Sequence, residues 1–200
     1  MFNGRILRIM NKNLIVIHPN DPSTAFLKIL YDYHSPFNPL LIDETTSTSK
    51  IRQILTAKAL KDRPVLMLGH GYSGGMFAPQ KVGGEIDQFY RKIINPRLVQ
   101  FLRERTCIGI WCHAKMFAER YGLHGLFSGM IISDKDEANN YCMDEFTQKE
   151  IEMYNVDFAG ALEYCLETYD LREIPHKMSG FKSVQNRLEE FNFSNLHYYP

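Results

Sequence analysis

The sequence predicts an α/β domain of three layers, α/β/α, with a mainly parallel sheet between two layers of helices. Three observations carry this. Short apolar runs recur along the chain and are closed by turn residues, as buried parallel strands require. The stretches between the first three runs have helical spacing. Two later runs end in residues able to do chemistry, His70-Gly71 and Cys112, at the carboxyl edge where open α/β sheets place ligands.

The first run is Leu14 to His18 (LIVIH), closed by Pro19. Asn20-Asp21-Pro22-Ser23 follows with turn and helix-cap chemistry. From Thr24 to Tyr33, Phe26, Leu27, Leu30 and Tyr31 fall on one side of a predicted helix. Pro39 to Asp43 is a second short strand, and Thr45 to Ser49 can cap the next helix, about Lys50 to Leu60, with Ile51, Ile54, Leu55 and Ala59 on one side. Lys61-Asp62-Arg63-Pro64 ends that helix and the third strand begins, in the stretch PVLMLGHGYSGG. Strand, helix, strand, helix, strand implies right-handed crossovers and a parallel sheet.

Gly74 to Asp87 breaks the alternation, with Pro79 and Gly83-Gly84 separating short apolar pieces, and reads as a β-hairpin or extended excursion. Asp87 to Arg105 resumes helical spacing, broken near Asn95-Pro96. Thr106 to Trp111 is a fourth strand leading into Cys112-His113. Ala114 to Tyr121 is a short helix stopped by Gly122, and Leu126 to Ser133 is a fifth strand ending at Asp134. Glu137 to Phe146 and Thr147 to Tyr169 read as helical, the second with Phe158, Ala161, Leu162 and Cys165 on one face. The tail holds a helix at Val184 to Phe191 and an edge strand at Asn195 to Tyr199.

Two hundred residues suit a single domain with a sizeable core. Lys+Arg and Asp+Glu each total 23, so the chain lacks the basic excess of a nucleic-acid binder. No apolar run approaches the ~18–20 residues that cross a bilayer, so no membrane association is expected. MFNGRILRIMNKN has neither the apolar core nor the cleavage site of a signal peptide. The expected location is cytoplasmic, with Cys107, Cys112, Cys142 and Cys165 as free thiols. No C-x-x-C or H-x-x-x-H spacing supports a metal site, and no cofactor is expected.

Two nucleophiles compete. Gly71-Tyr72-Ser73-Gly74-Gly75 fits the G-x-S-x-G pattern of a serine elbow, with Asp134, Asp136, His176 and His197 downstream in hydrolase order. An elbow must feed directly into a helix, and Met76-Phe77-Ala78-Pro79 with Gly83-Gly84 is poor helix material. The cysteine reading uses two strand ends. If the third and fourth strands are neighbours, His70 can draw the Cys112 thiol toward thiolate. The N–H groups of Gly71 and Cys112 could form an oxyanion hole, and the helix after Cys112 would add its dipole.

LMLGHG and IGIWCHAKMFAERYGLHGLFSGMIISD together resemble the caspase-like fold of cysteine peptidases, which includes caspases, gingipains, clostripain, legumain, separase and the CHAT domains. The resemblance lies in an apolar strand ending in His-Gly and a second ending in Cys, followed by a short helix, a glycine turn and a strand. DEANNYCMDEFTQKEIEMYNVDFAGALEYCLE is similar to the helix-rich region that follows in CHAT-type members. The resemblance covers roughly Leu14 to Thr168, leaving 169–200 as a C-terminal extension. It implies a His70/Cys112 dyad hydrolysing peptide bonds in a protein or peptide substrate through a thioester. The chain departs from the family pattern at Ile110, Trp111 and His113, where small or polar residues are common.

Plainer readings stand beside each residue: a hydrogen-bonded strand-end histidine for His70, and a small buried hydrophobe for Cys112. Trp111 reads as core or pocket wall, and Ser73 as a loop residue. Asp21 and Asp134 each follow a strand on the same rim, where carboxylates would pair with Arg or Lys of a substrate; the plain alternative is helix capping. Two other functions remain open, a catalytically silent caspase-like interaction module and a serine hydrolase using Ser73.

Overall fold

The computed structural model describes residues 13–32, 39–82, 85–141, 143, 145–181 and 186–200. Met1–Lys12, Tyr33, Gly83-Gly84, Cys142 and Val184, on which parts of the sequence reading fall, lie outside them.

Three short apolar segments pair in parallel at the centre: β1 (Ile15–Ile17), β2 (Leu40–Ile42) and β3 (Val65–Leu68). Next to β3 lies β7 (Thr106–Ile110), followed by β8 (His124–Ser128). The antiparallel edge is β9 (Leu196–Tyr199), which gives the order β2-β1-β3-β7-β8-β9. β1, β3 and β7 are each flanked on both sides, so they need apolar residues on both faces and read as continuous runs.

The pleat sorts those runs onto two sides. Ile15, Ile17, Val65, Met67 and Cys107 face a core shared with α2 (Thr48–Thr56) and α3 (Ala114–Tyr121). Val16, Leu66, Leu68, Ile108 and Ile110 face the other core, built with α5 (Gln148–Thr168) and α6 (Ile174–Ser179). This is the expected three-layer arrangement. Each of these fully buried aliphatic side chains contributes about 1.5–3 kcal/mol of burial free energy.

The predicted hairpin is present as a second sheet: β4 (Gly71–Tyr72), β5 (Gly75–Val82) and β6 (Glu85–Ile94), all antiparallel. Its residues Met76, Ala78, Ile93 and Ile94 are buried on the α2/α3 side of the molecule.

Several expectations need correction. The helical spacing read into Asp87 to Arg105 belongs to β6 and then a single 3₁₀ turn, Val99–Phe101. Once β5 offers a ladder, the Ile-, Phe- and Tyr-rich segment pairs with it, and local propensity is overridden. The fifth strand ends at Ser128, not Ser133. Beyond it, side chains replace the ladder: Asn195 Nδ2 donates to the Met130 carbonyl, and Asn192 both accepts from Ile132 N–H and donates to its carbonyl. The predicted helix at Glu137 to Phe146 is the shorter α4 (Lys135–Asn140), capped by Asp134. The first helix is a 3₁₀ stretch, Pro22–Lys28, that becomes α1 only at Ile29–Asp32. The long helix α5 begins with a capping box of Thr147 and Glu150, and α7 spans Arg187–Phe193.

Candidate active site

The carboxyl ends of β1, β3 and β7 are adjacent, because β3 pairs with both neighbours. β1 lies between β2 and β3, so the strand order reverses here while the strands stay parallel, and a cleft forms at this edge. The cleft is nearly closed, with a free volume of about 10 Å³, and is lined among others by Thr24, His70, Trp111, Cys112, Ile131 and Ser133. The third and fourth strands of the sequence reading are thus neighbours, and His70 and Cys112 share one cleft.

His70 follows Gly69, whose φ of 142° turns the chain off β3 into β4. Nε2 of His70 lies 2.6 Å from Ser23 Oγ and 3.8 Å from Asp21 Oδ1. Asp21 caps the 3₁₀ stretch, with Oδ1 accepting from Ser23 N–H at 3.0 Å and from Ser23 Oγ–H at 2.7 Å. Oδ2 of Asp21 makes no hydrogen bond among the described residues.

Gly71 is held close to Trp111. A Cβ on Gly71 would stand 2.2 Å from Trp111 Cδ1 and 2.7 Å from the Gly75 carbonyl. Trp111 is 1% exposed, and its Nε1–H donates to the Tyr72 carbonyl at 3.3 Å. The indole is therefore a wall under β4. Tyr72 and Gly75 flank the two-residue turn Ser73-Gly74, so Gly71 and Met76 form the non-bonded pair of the ladder and the Gly71 N–H faces away from β5. The Phe77 N–H bond to the His70 carbonyl, 2.8 Å, fits this register. Ser73 sits in a hairpin turn between two strands, whereas an elbow needs a strand followed by a helix.

Cys112 lies between β7 and α3. His113, with φ 65°, is the non-glycine residue of positive φ among the described residues, and its N–H donates to the Gly129 carbonyl at 2.8 Å. The Cys112 N–H has no partner among the described residues. The Cys112 thiol is half-buried, with Sγ 3.4 Å from the Ile131 carbonyl and 3.7 Å from Glu137 Oε1, either of which can accept its single proton. Burial, and then the Glu137 carboxylate, push its pKa up to about 12. The dipole of an eight-residue helix beginning two residues later does not offset them. In this conformation Cys112 is a protonated thiol at neutral pH.

Asp134 lies on the same rim. It caps α4 by accepting from Glu137 N–H at 2.9 Å through Oδ1. Glu137 in turn accepts from Ser133 N–H and Oγ–H through Oε2. Asp21, Asp134 and Glu137 together make the surroundings of the cleft acidic.

Ser23 and Glu137 were not singled out by the sequence. The signal for Ser23 was its place two residues after Asp21, an Asx-type spacing that announces a cap but not a neighbour 47 residues on. Nothing local to Glu137 announces contact with Cys112.

Beside the cleft, His18 is buried, with Nδ1 3.0 Å from Tyr31 Oη and Nε2 3.4 Å from Thr24 Oγ1. Burial, aided by nearby Lys28, pushes its pKa down from 6.5 to about 4. Between those values the unfolded chain binds the proton and the folded chain does not, so stability rises with pH there. The contribution is complete above about pH 6.5 and is lost as the pH falls toward about 4. At its largest it is on the order of 3 kcal/mol. Urea unfolding at pH 7 and pH 4 should show this slope, and His18→Gln should flatten it; an unchanged slope in the variant would place the acid sensitivity elsewhere.

These features define an α/β domain with helices on both faces of a mainly parallel sheet, a histidine and a cysteine following the carboxyl ends of two adjacent parallel strands. No protein-family model matches the chain, and no curated protein does. Among the described residues, no three His, Cys, Asp or Glu side chains gather as metal ligands, and no helix is long and apolar enough to cross a membrane.

Proposed function

We propose that the chain is a cysteine endopeptidase of the caspase-like kind, acting through His70 and Cys112 without a cofactor. The observation that carries the reading is the meeting of both residues in one cleft, at the ends of adjacent parallel strands. His70 takes the Cys112 thiol proton as Sγ adds to the substrate carbonyl carbon, then returns it to the leaving amine as the C–N bond breaks. Water hydrolyses the thioester that remains. The N–H groups of Gly71 and Cys112, neither used by a neighbouring strand, receive the oxyanion. Catalysis requires the Cys112 side chain to leave Ile131 and Glu137 and turn to His70. The substrate is a protein or peptide cut after Arg or Lys. The acidic rim supports that preference, with Asp21 and Asp134 each capping through Oδ1 alone. A reducing, cytoplasmic setting belongs to the same proposal, which involves neither nucleic acid nor membrane.

The high thiol pKa favours a second reading, a silent caspase-like module that binds a protein partner. Treatment with Arg- and Asp-directed peptidyl chloromethylketones, followed by mass mapping, separates the possibilities. The expected result is an adduct on Cys112 from the Arg reagent. Reaction with the Asp reagent alone would overturn the basic preference, an adduct on Ser73 would support a serine hydrolase, and no adduct would leave the silent module.

A further inference from the structure

The Ser23 hydroxyl has one proton and two polar neighbours, Asp21 Oδ1 at 2.7 Å and His70 Nε2 at 2.6 Å. An ionised carboxylate can only accept, and a bond to it is the stronger of the two choices. The hydroxyl proton therefore goes to Asp21, and Ser23 Oγ can meet His70 only as an acceptor. That requires the hydrogen of the neutral ring to sit on Nε2, leaving the lone pair on Nδ1.

We propose that Asp21 and Ser23 are positioning residues that fix His70 as the Nε2–H tautomer, so that Nδ1 is the atom that accepts the proton. The inference rests on the reading of His70 as the base. The arrangement differs from a serine triad. There the serine would donate to the histidine, and the acid would hold the opposite ring nitrogen. Here acid and serine stand on the same nitrogen, which makes Ser23 a relay rather than a nucleophile. The device is rigid because the Asp21 cap bond to the Ser23 N–H is a backbone contact and survives removal of the hydroxyl.

The test is ¹⁵N NMR of the His70 ring in the full chain, at a pH where the ring is neutral. The wild type should show the Nε2–H tautomer, Ser23→Ala a mixture of tautomers, and Ser23→Thr a return to Nε2–H. A wild-type Nδ1–H tautomer, or a tautomer unmoved in Ser23→Ala, would overturn the proposal. So would labelling of Ser23 by a fluorophosphonate. These readouts do not need turnover. A fixed Nε2–H tautomer in a chain that hydrolyses no peptide would sink the peptidase and leave the positioning pair intact. With turnover, Ser23→Ala should lower kcat about tenfold with KM unchanged, part of the roughly 10²–10⁴-fold that a positioned base supplies.

Discussion

Replacing Cys112 with alanine is expected to lower kcat for a peptide substrate by about a million-fold, as removal of one member of a cooperating catalytic unit does. His70→Ala should cost about as much, and the double variant no more than either. Non-additivity of this kind is what a dyad produces, because a nucleophile without its base and a base without its nucleophile are equally idle. Two independent contributors would instead multiply their losses. The geometry makes the comparison clean. Cys112 is a thiol packed against Ile131, so alanine leaves a small void, and His70 is partly exposed, so its removal costs little stability. Steady-state kinetics on one basic-residue substrate, with folding checked by the emission of the single tryptophan, Trp111, would suffice. A double variant far slower than both single variants would show that the two residues do not act as one unit.

Arg105→Ala is expected to lower folding stability by about 3 kcal/mol, and Tm by roughly 6–12 °C for a chain of this length. Arg105 is 6% exposed and spends its guanidinium on main-chain oxygens. Nε donates to the Phe101 carbonyl at 3.1 Å, Nη2 to Leu55 at 2.9 Å, and Nη1 to Leu60 and to Arg63. Those of Leu55, Leu60 and Arg63 lie near the end of α2 and in the turns after it, where a helix leaves acceptors without internal partners, and that of Phe101 ends the 3₁₀ turn before β7. Each buried carbonyl left bare costs about 1–3 kcal/mol, so four could cost more than the domain can spare. A surface cleft of about 270 Å³ bordered by Leu55, Lys61, Phe101 and Arg105 admits water, which limits the loss. Arg105→Lys should fall between, since an ammonium has three donors in place of five. Urea unfolding checks both, and an Arg105→Ala loss below about 0.5 kcal/mol would mean that water replaces the guanidinium completely.

The parallel core was legible because β1, β3 and β7 are buried on both faces, and a strand in that position must be apolar at every residue. The α3 boundaries were legible for a local reason: Gly122 supplies the left-handed stop, at φ 63°. The edge strand β9 was found although its partner β8 lies some seventy residues earlier, since Tyr198-Tyr199 is strand material wherever it pairs. The segment Asp87 to Arg105 was misread because helical spacing and strand composition coincide there, and only the presence of β5 decides between them. The end of the fifth strand was missed because Asn192 and Asn195, from the far end of the chain, satisfy the backbone after Ser128.

For the candidate site the division is similar. Sequence alone placed His70 and Cys112 at strand ends and gave Asp21 and Asp134 their cap chemistry, because strand length, turn residues and caps are properties of neighbours in the chain. Tertiary structure decided that β3 and β7 pair, which brings the two into one cleft. It also decided what each side chain touches there: Ser23 on His70, and Glu137 on Cys112. Burial, and then the second contact, raise the thiol's pKa, and neither burial nor a charge within a few ångströms follows from position along a chain.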